Sequence, residues 1–183
     1  MSTSQATGRG GWVAIATTAS LGCWGAPDRV DSGVDDEKRI SALTSEEATA
    51  FCVALFDFMV GQSGPEEHCA GSRYGAARAE FMRTADDDLI LEACLRAEKT
   101  CGDAAEPAET DCEHTHFQFA CDARLGDVEG CFTDHIRATS EALLDLPPCE
   151  TMTAVWFMGR PAVGSQLPAS EACGRYAAAC SER

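Results

Sequence analysis

Residues 127–146, DVEGCFTDHIRATSEALLDL, decide the fold. Val128, Cys131, Phe132, Ile136, Leu143 and Leu146 fall close to one stripe at the helical period, and Pro147-Pro148 stops the segment. A half-buried strand would alternate every second residue; this segment does not, and a long amphipathic helix is the expectation. Outward from it the same signals recur. Thr44-Ser45-Glu46-Glu47 is a capping-box pattern followed by the apolar run AFCVALFDFMV, which predicts a helix from about 45 to 61 ended by Gly61 and Gly64-Pro65. Another helix opens at Thr84: Asp86, Asp87 and Asp88 occupy its first turn, Leu91, Cys94, Leu95 and Ala97 its apolar face and Lys99 its last turn, and it closes at Gly102. A short helix over Ala169 to Cys180 completes the set. Residues 66–83 and 150–167 show no decisive period, and Thr115 to Ala120 fits an extended segment. The predicted class is mainly α, a small disulfide-stapled helical domain.

The stapling follows from cysteine usage. Eleven cysteines are scattered singly through 183 residues. Zinc ribbons, thioredoxin-like redox sites and c-type haem attachment need a C-x-x-C spacing that the chain lacks. Structural disulfides in an oxidising compartment remain. Cys52, Cys69, Cys94 and Cys101 are separated by 17, 25 and 7 positions, and Cys131, Cys149, Cys173 and Cys180 by 18, 24 and 7. Glu92-Ala93-Cys94-x-Arg96 and Glu171-Ala172-Cys173-x-Arg175 match at the same places. This reads as two duplicated helix–connector–helix units, residues 45–102 and 127–183, joined by a segment holding Cys112 and Cys121.

Cysteines seven apart on a helix are separated by about 10.5 Å along its axis, whereas disulfide Cα atoms lie within about 7 Å. Cys94–Cys101 and Cys173–Cys180 are therefore excluded as pairs. The ten cysteines still allow about 945 connectivities. If each unit is an antiparallel hairpin, the expected set is nested: Cys52–Cys101, Cys69–Cys94, Cys131–Cys180, Cys149–Cys173 and Cys112–Cys121.

Thirty acidic against fourteen basic residues give a net charge of −16, which opposes binding to nucleic acid or to an anionic membrane surface. Asparagine is absent, so no N-x-[ST] glycosylation site exists. At the N-terminus, residues 1–22 have the shape of a lipoprotein-type signal peptide, with a ten-residue apolar stretch from Trp12 to Leu21 ending at Gly22-Cys23. Ala19-Ser20-Leu21-Gly22-Cys23 resembles a bacterial lipobox, although Ser20 stands where an aliphatic residue is usual. Cys23 is thus the expected lipidation site, and setting it aside leaves an even number of cysteines for pairing. Residues 23–44 are polar, with Gly, Pro, Ser and five acids after Cys23, and read as a tether; the Cys-rich helical domain is expected over 45–183.

The leader and tether, together with Phe119-Ala120-Cys121-Asp122, Asp127-Val128-Glu129-Gly130-Cys131 and Leu146-Pro147-Pro148-Cys149, resemble the uncharacterised Cys-rich lipoproteins of the myxobacterial type. That resemblance implies a cell-envelope location and supplies no catalytic residue.

Other groupings carry weaker chemistry. His114 and His116, beside Asp111 and Glu113, could seed a zinc or copper site, but spacing fixes no third ligand. His68 and His135 are distant candidates. Asp134-His135 on a Cys-bearing helix is similar to the His-Asp helix of secreted phospholipase A2, in reversed order and without the Gly-rich calcium loop. Gly61-Gln62-Ser63-Gly64 reads as a helix-ending turn, Asp86 to Asp88 as a first helical turn, and Phe51, Phe56, Phe58 and Met59 as core. The leading expectation is a non-catalytic, envelope-anchored binding or structural module, an outer-membrane lipoprotein or a periplasmic or extracellular protein. It needs no cofactor, is held to the membrane by its N-terminal lipid, and has an unidentified protein or glycan as its partner. A metal-binding envelope protein using His114 and His116 is second, and a secreted hydrolase third.

Overall fold

The computed structural model describes residues 27–101, 112 and 121–181. They contain six helices: α1 (Ser45–Gln62), α2 (Pro65–Arg83), α3 (Asp87–Thr100), α4 (Leu125–Leu144), the single-turn α5 (Ala154–Phe157) and α6 (Glu171–Ser181). Single 3₁₀ turns lie at Ile40–Ala42 and Cys149–Thr151, and no strand occurs among the described residues. The mainly α, disulfide-rich class read from the sequence is the observed one.

Caps set the helix starts. Thr44 Oγ1 accepts the Glu47 N–H at 3.3 Å, and the Glu47 carboxylate accepts the Thr44 N–H at 2.8 Å, closing the predicted capping box. Lys38 Nζ lies 2.6 Å from Glu47; this hydrogen bond, with those from Thr44, holds the Glu47 carboxyl down at about 2. Asp86 caps α3 by accepting from Asp88 and Leu89 N–H groups. Helix α2 fills the segment without a clear period. Its buried face is Ala70, Tyr74 and Ala77, spaced four and three residues apart, so the face is real but composed mostly of methyl groups. Pro65, Glu66 and Glu67 mark its first turn.

Two hydrophobic clusters form the interior. Val30, Ile40, Phe51, Phe58, Leu125 and Val128 are in the first, which joins the N-terminal arm, α1, and the start of α4, with Tyr176 and Ala179 of α6 against it. Tyr74, Ala77, Ile90, Met152, Ala154 and Phe157 belong to the second, between α2, α3 and α5. Helix α4 serves both: Phe132 and Ile136 pack on the first, Leu143 on the second. Gly130 allows α6 to come close to α4, since a Cβ there would lie 2.9 Å from that of Ala172.

All ten cysteines assigned to disulfides are paired, but none of the nested pairs forms. The bridges are Cys52–Cys112, Cys69–Cys101, Cys94–Cys149, Cys121–Cys180 and Cys131–Cys173. The hairpin assumption fails because residues 45–102 hold three helices. Cys69 on α2 meets Cys101 just past α3, while Cys94 on α3 turns into the second cluster toward Cys149. The two expected repeat units are also not equivalent: the first has three helices of 14 to 19 residues, the other one long helix, a turn-rich stretch holding only the single-turn α5, and a short helix, and Cys94–Cys149 crosses between them. The excluded pairs, Cys94–Cys101 and Cys173–Cys180, do not form.

The expected tether over 23–44 is also corrected for its described part, and the packed domain starts well before residue 45. Val30 and Ile40 are only 1% and 4% exposed. Ile40 N–H donates to Ala123 O, Leu125 N–H to Lys38 O and Gly126 N–H to Asp36 O, so residues 36–40 run along the entry to α4. Two isolated apolar residues ten apart give no period, which is why the segment reads as polar chain. The arm is latched to α4 by side chains as well: Val30 N–H donates to Thr133 Oγ1 and Ser32 N–H to Glu129 Oε1, both at 2.9 Å. Glu129 is 3% exposed; its carboxyl is pushed up, first by loss of water and further by Asp36 and Asp31, against the lowering effect of the Ser32 hydrogen bonds.

A carboxyl raised in the folded state holds a proton that the unfolded chain has lost, so this group withdraws stability as pH rises from about 4.5 through its folded value. Glu129→Gln keeps the acceptor for Ser32 and removes the charge. Its denaturation midpoint at pH 7 is expected to equal or exceed wild type, with a flatter pH dependence. Glu129→Ala leaves the Ser32 N–H unpaired and is expected to lose about 1–3 kcal/mol in urea unfolding.

Candidate functional site

A groove of about 650 Å³ opens between α2, α4 and the stretch after α5. Its α4 side is small and smooth, made by Ala138, Thr139 and Ala142 with His135 at one end. Facing it are Trp156 and Phe157 of α5, and Tyr74 of α2 joins the two walls.

The four-residue helix α5 is held from several directions. Thr153 caps it by accepting the Trp156 N–H at 3.2 Å, and Asp87 at the start of α3 accepts the Ala154 N–H at 2.6 Å. Phe157 stacks on Phe81 at 5.2 Å, lies 6.0 Å from Tyr74 and meets Trp156 edge-on at 4.9 Å. Beyond α5 the chain turns through Gly159 and Gly164, with φ of 75° and 74°, conformations in which a side chain would be strained. Tyr74 is the fastening point: its hydroxyl accepts the Val163 N–H at 2.9 Å and a weaker bond from Arg78 Nη1 at 3.4 Å.

The groove's charges are unusual for so acidic a chain. Arg78 and Arg160 both line it, and neither is ion-paired with a described carboxylate. The Arg160 guanidinium instead lies 4.9 Å over the Trp156 ring. Asp145 is the acidic lining residue. An apolar body with an anionic or hydrogen-bonding group matches these walls.

Of the residues singled out in the sequence, His135 is in the groove, and no hydrogen bond joins it to Asp134 among the described residues. His68 is exposed on α2. Cys23, His114 and His116, together with the predicted signal peptide and the extended segment at 115–120, lie outside the described residues. Among the described residues no group of three or more His, Cys, Asp or Glu is placed to hold a metal, and no helix is long and apolar enough to cross a membrane. Phe51 and Phe58 are core as expected, whereas Met59 is 44% exposed. Sequence reasoning passed over Tyr74, Arg78, Trp156 and Arg160. The available signal was Thr153 preceding Trp156-Phe157, a capped aromatic turn. No protein-family model matches the chain, and neither a curated protein nor a solved structure is significantly similar to it.

Tyr74→Phe keeps the ring packing and removes the acceptor for Val163. It is expected to cost about 1–3 kcal/mol in unfolding free energy and to shift Trp156 emission to the red as the wall loosens. An unchanged spectrum and midpoint would show that Tyr74 does not fasten the wall.

Proposed function

We propose that the chain is a non-catalytic, disulfide-stapled binding module of the cell envelope, held to a membrane through a diacylated Cys23, and that it takes its ligand in the α2–α4 groove. One observation carries the ligand site: an aromatic wall edged by two guanidiniums that have no carboxylate partner among the described residues, in a chain of net charge −16. Such cations remain available to a ligand's anionic or hydrogen-bonding group, while Trp156, backed by the buried Phe157 and Tyr74, offers the apolar contact that protein segments and glycans both use. The envelope location is supported by the cystine content, which belongs to oxidising compartments, by the leader-like residues 1–22, and by the resemblance to Cys-rich lipoproteins of the myxobacterial type.

The groove is tested with anilinonaphthalene sulfonate, an aromatic anion whose emission rises in apolar surroundings. The native protein is expected to bind it at one site, and Ala138→Trp, which fills the groove from α4, to weaken binding by about tenfold or more at an unchanged melting temperature. Equal binding by both proteins would move the site elsewhere. The anchor is tested by flotation with liposomes and by metabolic fatty-acid labelling of the protein made in a bacterial host. Wild type is expected to float and carry label, and Cys23→Ala to do neither while keeping its melting temperature. Unlabelled wild type, or a Cys23→Ala protein that misfolds, would remove the lipoprotein reading.

A further inference from the structure

We infer that the anchored module rests on the bilayer with the C-terminal end of α1, and that its groove points away from the membrane. The inference rests on Cys23 being the lipid-bearing residue. The first described residues fix where the chain leaves the domain: Pro27 O accepts from Gln62 Nε2 at 3.5 Å, and Asp28 O accepts from the Arg137 guanidinium, which itself lies 5.9 Å over the Phe58 ring. The exit therefore lies between the last turn of α1 and the outer side of α4. From Cys23 to Pro27 the chain takes four steps, a reach of about 14 Å when fully extended. A helix with its side chains is about 10–12 Å across, so this length cannot carry the anchor round α4 and still reach the lipid.

The groove is on that far side. At about 100° per residue, His135, Ala138, Thr139 and Ala142 centre about 150° round the α4 axis from Arg137. The exit face also suits an interface. Met59 and Val60, at the end of α1, are 44% and 39% exposed, and the Arg137 guanidinium over the Phe58 ring adds a cation to that face. The net charge of −16 opposes anionic lipid, so the expected surface is zwitterionic.

The test uses the chain from Cys23 onward, which retains every described residue. Its Cys23 thiol is coupled to a maleimide phospholipid in phosphatidylcholine vesicles with brominated acyl chains, which quench nearby indoles. Trp24→Phe leaves Trp156 in the groove as the reporter. Adding Trp156→Phe and Met59→Trp moves the reporter to the exit face, and Val60→Trp in place of Met59→Trp provides a second exposed position there. Both exit-face proteins are expected to lose about half their emission relative to unbrominated vesicles, as for a residue held 5–10 Å into the interface, and the groove reporter to lose almost none. Equal quenching at the two faces, stronger quenching of Trp156, or none at either exit-face position would overturn the orientation. Because the thiol coupling stands in for cellular acylation, this outcome is separate from the flotation and labelling result, which alone decides whether Cys23 is acylated in the cell.

Discussion

The fold depends on covalent links between segments far apart in sequence. Its five cystines join residues separated by 32 to 60 positions. In the chain-entropy account each such closure removes about 4 kcal/mol of unfolded-state freedom, a large share of the 5–15 kcal/mol by which domains are stable. The helices need this help. Helix α2 buries mainly alanine, α5 is a single turn and α6 buries one residue, Cys173, so apolar burial alone is thinly spread. Cys94–Cys149 has a particular place, because it fixes the turn that leads into α5 against α3.

That frame explains how a loop-rich stretch can form a defined groove wall. Residues 149–168 carry little regular structure, yet Cys149 is bonded to α3, Ala154 is held by Asp87, and Val163 by Tyr74. Two helices, α3 through Cys94 and Asp87 and α2 through Tyr74, thus position the wall opposite α4. A binding surface built this way loses little freedom when a ligand arrives, which favours affinity through preorganisation. The same logic holds at the other end, where Glu129 and Thr133 bind the arm to α4 and fix the direction in which the chain leaves the domain.

Where local rules apply, the sequence was legible. The Thr44 capping box, the acidic run Asp86 to Asp88, the α4 stripe and the Pro147-Pro148 stop each place a helix end within a few residues, although Thr84, read as the opening of α3, ends α2 and Asp86 is the cap. Cysteine usage also pointed to disulfides throughout. What stayed hidden depends on distant partners. The arm contributes Val30 and Ile40 to a core whose other members come from α1 and α4, and the apolar face of α2 is written in alanines. The matched Glu-Ala-Cys strings suggested equivalent units, but Cys94 and Cys173 face different neighbours, Cys149 and Cys131. The groove was illegible for the same reason: Tyr74, His135 and Trp156 converge only once the α3–turn link is made.

The most direct test of this frame is its connectivity. Non-reducing proteolysis of the oxidised protein, followed by mass spectrometry of the linked peptides, should recover Cys94 joined to Cys149 and Cys69 joined to Cys101, together with the three other long-range pairs. Recovery of Cys69 with Cys94 and Cys149 with Cys173, two separately closed halves, would contradict the account.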